Sequence, residues 1–184
     1  DDEFAKTLGI EEGGVNELKD KIRENLAKEL DDAISADVKD KVMQGLLDLH
    51  EIDLPETLVN QEVDVLWENS RKQQQAQMRL DDLPDMPKEP FQEQAKRRVA
   101  LGLLISEVIK QHELKLDNDR VRSKVEEIAK AYSNADEAIK WYYSEPQRLR
   151  EIQTFIMEEQ VVEKVLEEAQ VTEKDSDLSD IIGR

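Results

Sequence analysis

From Val15 to Leu49 the apolar residues Val15, Leu18, Ile22, Leu26, Leu30, Ile34, Val38, Val42, Leu46 and Leu49 recur at spacings of three and four. That period sets them on one face of a continuous amphipathic helix. At 1.5 Å per residue such a helix reaches about 52 Å, beyond the ~30 Å across a small domain. It cannot be enclosed in a globule. The spacing therefore predicts the spine of an elongated body, unless Gly45 or a kink divides it.

Around this spine the chain reads as further helices. Phe4 and Leu8 form a short one closed by Gly9, and Gly13 and Gly14 break the chain before the spine. Pro55 opens the next helix, with Leu58, Val59, Val63, Leu66 and Trp67 as its buried face. Beyond Trp67 the sequence turns polar, so that helix end is expected to project into solvent. Residues 80–90 contain three of the five prolines and form a tip. From Phe91 a return helix carries an apolar run, Leu101 to Ile109, that wraps most of its circumference and predicts the most buried part of the fold. Asp117 caps a helix through Val121, Val125, Ile128 and Tyr132. Asn134 and Glu137 have capping-box spacing before a short helix, and Ser144 with Gln147 repeats it before a last helix from Leu149 to Ala169. No strand-like alternation is sustained. The expected fold is all-α: a long spine helix (with the linker helix, 1–54), a first arm with its return helix (55–116), a second arm with its return helix (117–170), and a tail (171–184). Together these form one elongated multi-helix domain with projecting helical arms that make a cradle.

The balance of 26 basic against 44 acidic residues gives a net charge of -18. So negative a surface repels phosphate backbones and anionic lipid, which argues against nucleic acid and membrane as partners and favours basic clients. No cysteine is present, in keeping with a reducing compartment. No apolar stretch approaches the ~20 residues of a spanning helix. The first residue is Asp1 rather than Met, so the natural N-terminus is expected upstream.

Chemistry-bearing patterns are missing. His50 and His112 lie at helix ends without metal-ligand spacing and are read as structural or solvated. Asp117-Asn118-Asp119 begins like a calcium loop but has Arg122 where glycine is needed and Ile128 where a glutamate ligand is needed. The six glycines form no phosphate-cradling loop. No enzyme, metal, ATP site or other cofactor is expected. Lys96-Arg97-Arg98 is read as a solvated face, with Glu93 pairing Arg97 one turn on.

Two apolar groups have no obvious core. Tyr132, Trp141, Tyr142 and Tyr143 crowd into twelve residues, and on a helix Ile139, Trp141, Tyr142 and Tyr143 cannot all enter one interior. At least one ring is expected at the surface beside Ile128 and Tyr132, unless neighbouring elements sandwich the short helix. Met78, Leu80, Leu83, Met86 and Phe91 form the second group, at the tip, where adaptable methionines suit varied partners. A local cluster closing the tip, or a dimer contact, is the competing reading there.

The segments DLHEIDLPETLVNQEVDVLWENS (48–70) and PFQEQAKRRVALGLLISEVIKQHELK (90–115), with flanking order running from Asp2-Glu3-Phe4-Ala5-Lys6 to Val171-Thr172-Glu173-Lys174, resemble the C-terminal domain of bacterial trigger factor. The resemblance implies an ATP-independent cytoplasmic chaperone domain that transiently binds apolar segments of nascent or unfolded polypeptides. It implies further that the ribosome is met only through a preceding ribosome-binding domain. Isomerase activity would belong to another preceding domain, and self-association into a homodimer would occur off the ribosome. A helical adaptor or dimerisation module with one dedicated partner is the alternative.

Overall fold

The computed structural model describes residues 2–7, 9, 14–77, 86–172 and 174–175. Seven α-helices and no strand are present among them: α1 (Asp2–Thr7), α2 (Gly14–Leu49), α3 (Glu56–Gln77), α4 (Gln92–Gln111), α5 (Asn118–Ala129), α6 (Ala135–Ser144) and α7 (Pro146–Glu168). The fold is all-α. By packing the chain divides into two units, residues 1–41 with 170–184, and residues 42–169.

In the first unit Gly9 takes the left-handed conformation (φ 80°) after α1. Gly14 is required twice over. Its φ is 57°, and a Cβ there would stand 2.2 Å from Asp2 Oδ1. That carboxylate accepts the Val15 backbone N–H at 3.0 Å, satisfying a free donor at the start of α2. Helix α2 then runs unbroken through Gly45 for 36 residues. Side-chain pairs one turn apart support it in water: Glu17 with Lys21 (3.2 Å), Asp37 with Lys41 (2.6 Å) and Gln44 with Asp48 (2.6 Å). The predicted stripe is only partly used, because Ile22, Leu26 and Ile34 stay exposed. At the end of the helix, in the second unit, Met43 is buried while Leu49 is 81% exposed. The buried face is therefore turned away from the expected line.

The second unit holds two apolar clusters. Val59, Val63 and Leu66 of α3 close on Ala95 of α4, with Leu54, Phe91 and Val99 against them. The small Ala95 is wholly buried, which lets α3 and α4 approach. The second cluster joins Val121 and Val125 of α5 to Ile152 and Ile156 of α7. Pro55 sits one residue before α3, and its carbonyl accepts the Leu58 and Val59 amides at 3.0 and 3.2 Å. Past the α4 C-cap His112, Glu113 takes the left-handed region (φ 50°), which lets the Leu114 amide reach back to the Ile109 carbonyl at 2.9 Å. Gln160 of α7 fastens the following link, donating to the Lys115 carbonyl and accepting the Asp117 amide, both at 3.0 Å.

Three expectations are corrected. The apolar run of α4 is not the most buried part of the fold: Leu104 alone in it is buried, while Leu101, Leu103, Ile105, Val108 and Ile109 are half-buried, since α3 and α7 cover only part of its circumference. Leu58, expected inside, is 40% exposed, because the α3 face that meets α4 is centred on Val59, Val63 and Leu66. Ser144 does not cap α7: its hydroxyl donates backward to the Trp141 carbonyl at 2.8 Å, and α7 starts on Pro146 without a side-chain cap.

Candidate functional site

The aromatic group lies on α6 and in the link before it, where Tyr132 sits past the end of α5 at Ala129 rather than on that helix as expected, and it is built on two caps. Asp117 Oδ1 accepts the Asp119 and Arg120 amides at 2.9 and 3.0 Å and starts α5. Asn134 Oδ1 accepts the Glu137 amide at 3.3 Å and starts α6. Arg120, at the start of α5, clamps that helix to Glu159 (3.2 Å) and Glu163 (2.7 Å) of α7. On this frame the six side chains separate. Ile128, Ile139 and Tyr142 pack against the α5–α7 cluster, and Tyr132, Trp141 and Tyr143 are 50%, 48% and 47% exposed. Successive residues 141, 142 and 143 point about 100° apart on a helix, so only the middle ring reaches the core.

Each exposed ring has a distinct setting. Trp141 meets Tyr142 edge-on, with centroids 5.1 Å apart, and the Arg148 guanidinium lies 3.5 Å from the Trp141 ring centroid. Arg148 also donates to the Trp141 carbonyl at 3.1 Å and pairs with Glu145, so one face of the indole is covered and held in place. Tyr143 and Ile139 line an open cleft of about 460 Å³ together with Asn118, Asp119, Arg122 and Glu126. Arg148 was not foreseen from the sequence. It lies seven positions from Trp141, and only the corner between α6 and α7 folds it back.

The Tyr142 phenol is pushed up from its ordinary value, first by its hydrogen bond with Tyr132 and then by burial. A pKa raised in the folded state means the protonated phenol is the form that folding favours. The stabilisation is full below the unfolded value near 10 and is lost as pH rises through the higher folded one. Alkaline titration followed by circular dichroism should therefore show the α5–α7 part weakening above about pH 10. Tyr142→Phe should remove much of that dependence while leaving the cluster packed.

At the tip, Met78, Leu80 and Leu83 lie outside the described residues. Met86 and Phe91 are half-buried and engaged within the chain. The Met86 carbonyl accepts the Trp67 indole N–H at 2.7 Å, and its sulfur lies 3.7 Å from Ser70 Oγ and 3.6 Å from Gln74 Nε2. Lys88 pairs with Asp64 at 2.6 Å and stands over the Trp67 ring at 5.2 Å, with Arg71 at 5.1 Å. Trp67 thus holds the returning strand of chain against α3, so α3 stays engaged beyond the point where its apolar pattern ends. Phe91 packs on the α3–α4 cluster.

A surface that the sequence did not single out runs between α3 and α4. Leu58, Val65, Val99 and Leu103, with Gln61, Glu62, Gly102 and Ser106, line an open groove of about 390 Å³. Nothing lies within 4 Å of where a Cβ would stand on Gly102, so the floor is open there. Its signal in the sequence is slight: Leu58 and Val65 are seven apart, as two turns of one face require, but they flank the buried line and read as part of it.

Among the described residues no cluster of metal-ligating side chains occurs, and no helix is long and apolar enough to cross a membrane. His50 Nδ1 contacts the Leu46 carbonyl at 2.9 Å, and His112 ends α4 with Nδ1 3.7 Å from Glu168. In the basic cluster Glu93 pairs with Lys96 (2.7 Å), one position short of the expected Arg97, and Arg98 reaches across to Glu62 (2.9 Å).

The sequence matches the family described as bacterial trigger factor protein (TF) C-terminus over residues 14–167. The chain belongs to this family. It is 44% identical over 183 residues to a trigger factor of Colwellia psychrerythraea and 39% identical over 186 residues to one of Pseudoalteromonas atlantica, in each case across 100% of this chain. A trigger factor of Pseudomonas fluorescens is 43% identical over 173 residues, 94% of this chain. The chain spans 42%, 43% and 39% of the length of these three relatives.

Proposed function

We propose that this chain is an ATP-independent chaperone domain that transiently binds exposed apolar segments of nascent or unfolded polypeptides. The observation that carries the reading is the exposure of Trp141 and Tyr143 on the capped helix α6 and of Tyr132 in the link before it, in a chain of the trigger factor family whose net charge is -18. Large rings held at the surface by a rigid frame offer apolar area at little entropic cost. The α3–α4 groove offers a second, separate contact. On this reading 55–116 and 117–170 act as two arms, each presenting one apolar surface.

Modest magnitudes are enough. Burying a client side chain returns roughly 1.5 to 3 kcal/mol, set against an association cost of at least ~4 kcal/mol. A few shallow contacts then give about micromolar affinity, near -8 kcal/mol, and release by simple dissociation. The acidic surface keeps the empty domain soluble and favours basic clients. The ribosome would be contacted only through the remaining length seen in the relatives, the setting would be the cytoplasm, and self-association into a homodimer would occur off the ribosome.

The test is an NMR titration of this chain with one client in unfolded and in folded form. Shifts confined to the unfolded client at residues 128–143 and at Val99 and Leu103 are the expected result. Equal shifts with the folded client, or saturation by a single sequence only, would replace this reading with that of an adaptor for one partner.

A further inference from the structure

Arg148 is attached at three points to the corner where α6 turns into α7. Its Nη1 donates to the Trp141 carbonyl at 3.1 Å, its Nη2 pairs with Glu145, and its Cζ stands 3.5 Å from the centroid of the Trp141 ring. That carbonyl belongs to the last turn of α6, where no amide further along the helix is available, and it also accepts the Ser144 hydroxyl at 2.8 Å. A cation there is favoured by the helix dipole as well as by the ring. Glu145 is the residue between the two helices, and Pro146 fixes the backbone behind it in the first turn of α7. The Arg148 side chain is 29% exposed, whereas Trp141 remains 48% exposed. The guanidinium is thus a fixed backing that leaves the rest of the indole open to solvent.

From this we infer that Arg148 is a positioning residue for Trp141: it immobilises the indole in the free protein, so that the ring meets a client already in its binding pose. The inference rests on Trp141 being part of the client surface, as proposed above, and it concerns how that ring is held, whatever the sequence of the client. An exposed tryptophan side chain that turns freely must give up that freedom on binding, which offsets part of what its burial returns. With Arg148 stacked on it, the freedom is already lost on folding. Releasing the ring should weaken binding about two- to tenfold, the equivalent of immobilising one side chain. Apolar area alone predicts the opposite sign, because removing the guanidinium uncovers more of the indole and would tighten binding.

The test uses the whole chain and a dye-labelled, unstructured peptide of Leu and Phe among Gly and Ser with no net charge, so that the altered charge at position 148 does not itself change the affinity. Anisotropy gives the dissociation constant, and nitrogen relaxation gives the motion of the indole N–H groups of Trp67 and Trp141. Arg148→Gln is expected to loosen Trp141 but not Trp67 and to weaken the peptide by the factor above. Arg148→Lys should recover part of both effects, and Glu145→Gln should give a smaller change of the same sign. In a Trp141→Ala background Arg148→Gln should have no further effect, as coupling through one ring requires. Tighter binding by Arg148→Gln would make Arg148 a cover over the indole, and unchanged binding would show that the order of the ring does not matter. Weaker binding with an equally rigid indole, or a loss that persists without Trp141, would make Arg148 a direct contact. Each of these overturns the inference and leaves the chaperone reading standing. If Trp141→Ala alone leaves the affinity unchanged, Trp141 is not part of the client surface and the inference falls with that reading.

Discussion

Ile156→Ala is expected to lower the stability of the α5–α7 part by about 2 to 5 kcal/mol, the range for truncating a buried aliphatic side chain. Ile156 is 2% exposed and sits between Val121, Val125 and Ile152, where the Asp117 cap at the start of α5 and the Arg120 clamp from α5 to α7 leave little freedom to collapse on the cavity. The chain has two tryptophans, one in each helical cluster region, so Trp67→Phe leaves Trp141 as a reporter of α6. In that background, urea unfolding followed by fluorescence should give a clearly lowered midpoint for the Ile156→Ala variant. A loss below about 1 kcal/mol would show that α5 and α7 close up freely, and the frame beneath the exposed rings would not be rigid.

Trp141→Ala is the change expected to affect client binding most. Deleting the indole removes the largest exposed ring and releases the Arg148 guanidinium now stacked on it. The expected loss in affinity for an unfolded client is about ten- to a hundredfold, from roughly 1.5 to 3 kcal/mol of lost apolar burial. Stability should change little, since half of the ring is already in water and Tyr142, not Trp141, packs on the cluster. The measurement is the dissociation constant by anisotropy of a labelled unfolded client, with urea unfolding as the control. Unchanged affinity with intact stability would remove Trp141 from the client surface.

Local rules were readable in the chain wherever a feature depends on residues within a turn or two. Asp117 and Asn134 cap the helices that their spacing announces, Gly9 ends α1, and the 36-residue α2 follows from its three-and-four period. The competition among rings on α6 is likewise a consequence of the 100° step. The sequence was weaker on which apolar residues would be covered. A periodic stripe states that a face is apolar, not that a partner exists for all of it. Hence Ile22, Leu26 and Ile34 stay in water, and the run from Leu101 to Ile109 is only half-buried.

By itself, then, the sequence determined an all-α chain, the capped starts of α5 and α6, its long α2 and its strong negative charge, because propensity, capping and charge are properties of neighbouring residues. Only the tertiary structure decided that Trp67 pins Met86, that Arg148 covers Trp141 and that Leu58 and Val65 border a groove holding Glu62. These depend on how α3 meets α4 and how α6 turns into α7. That geometry is set by the small Ala95, by Pro146 at the corner and by which ridges interlock, and no single helix encodes it.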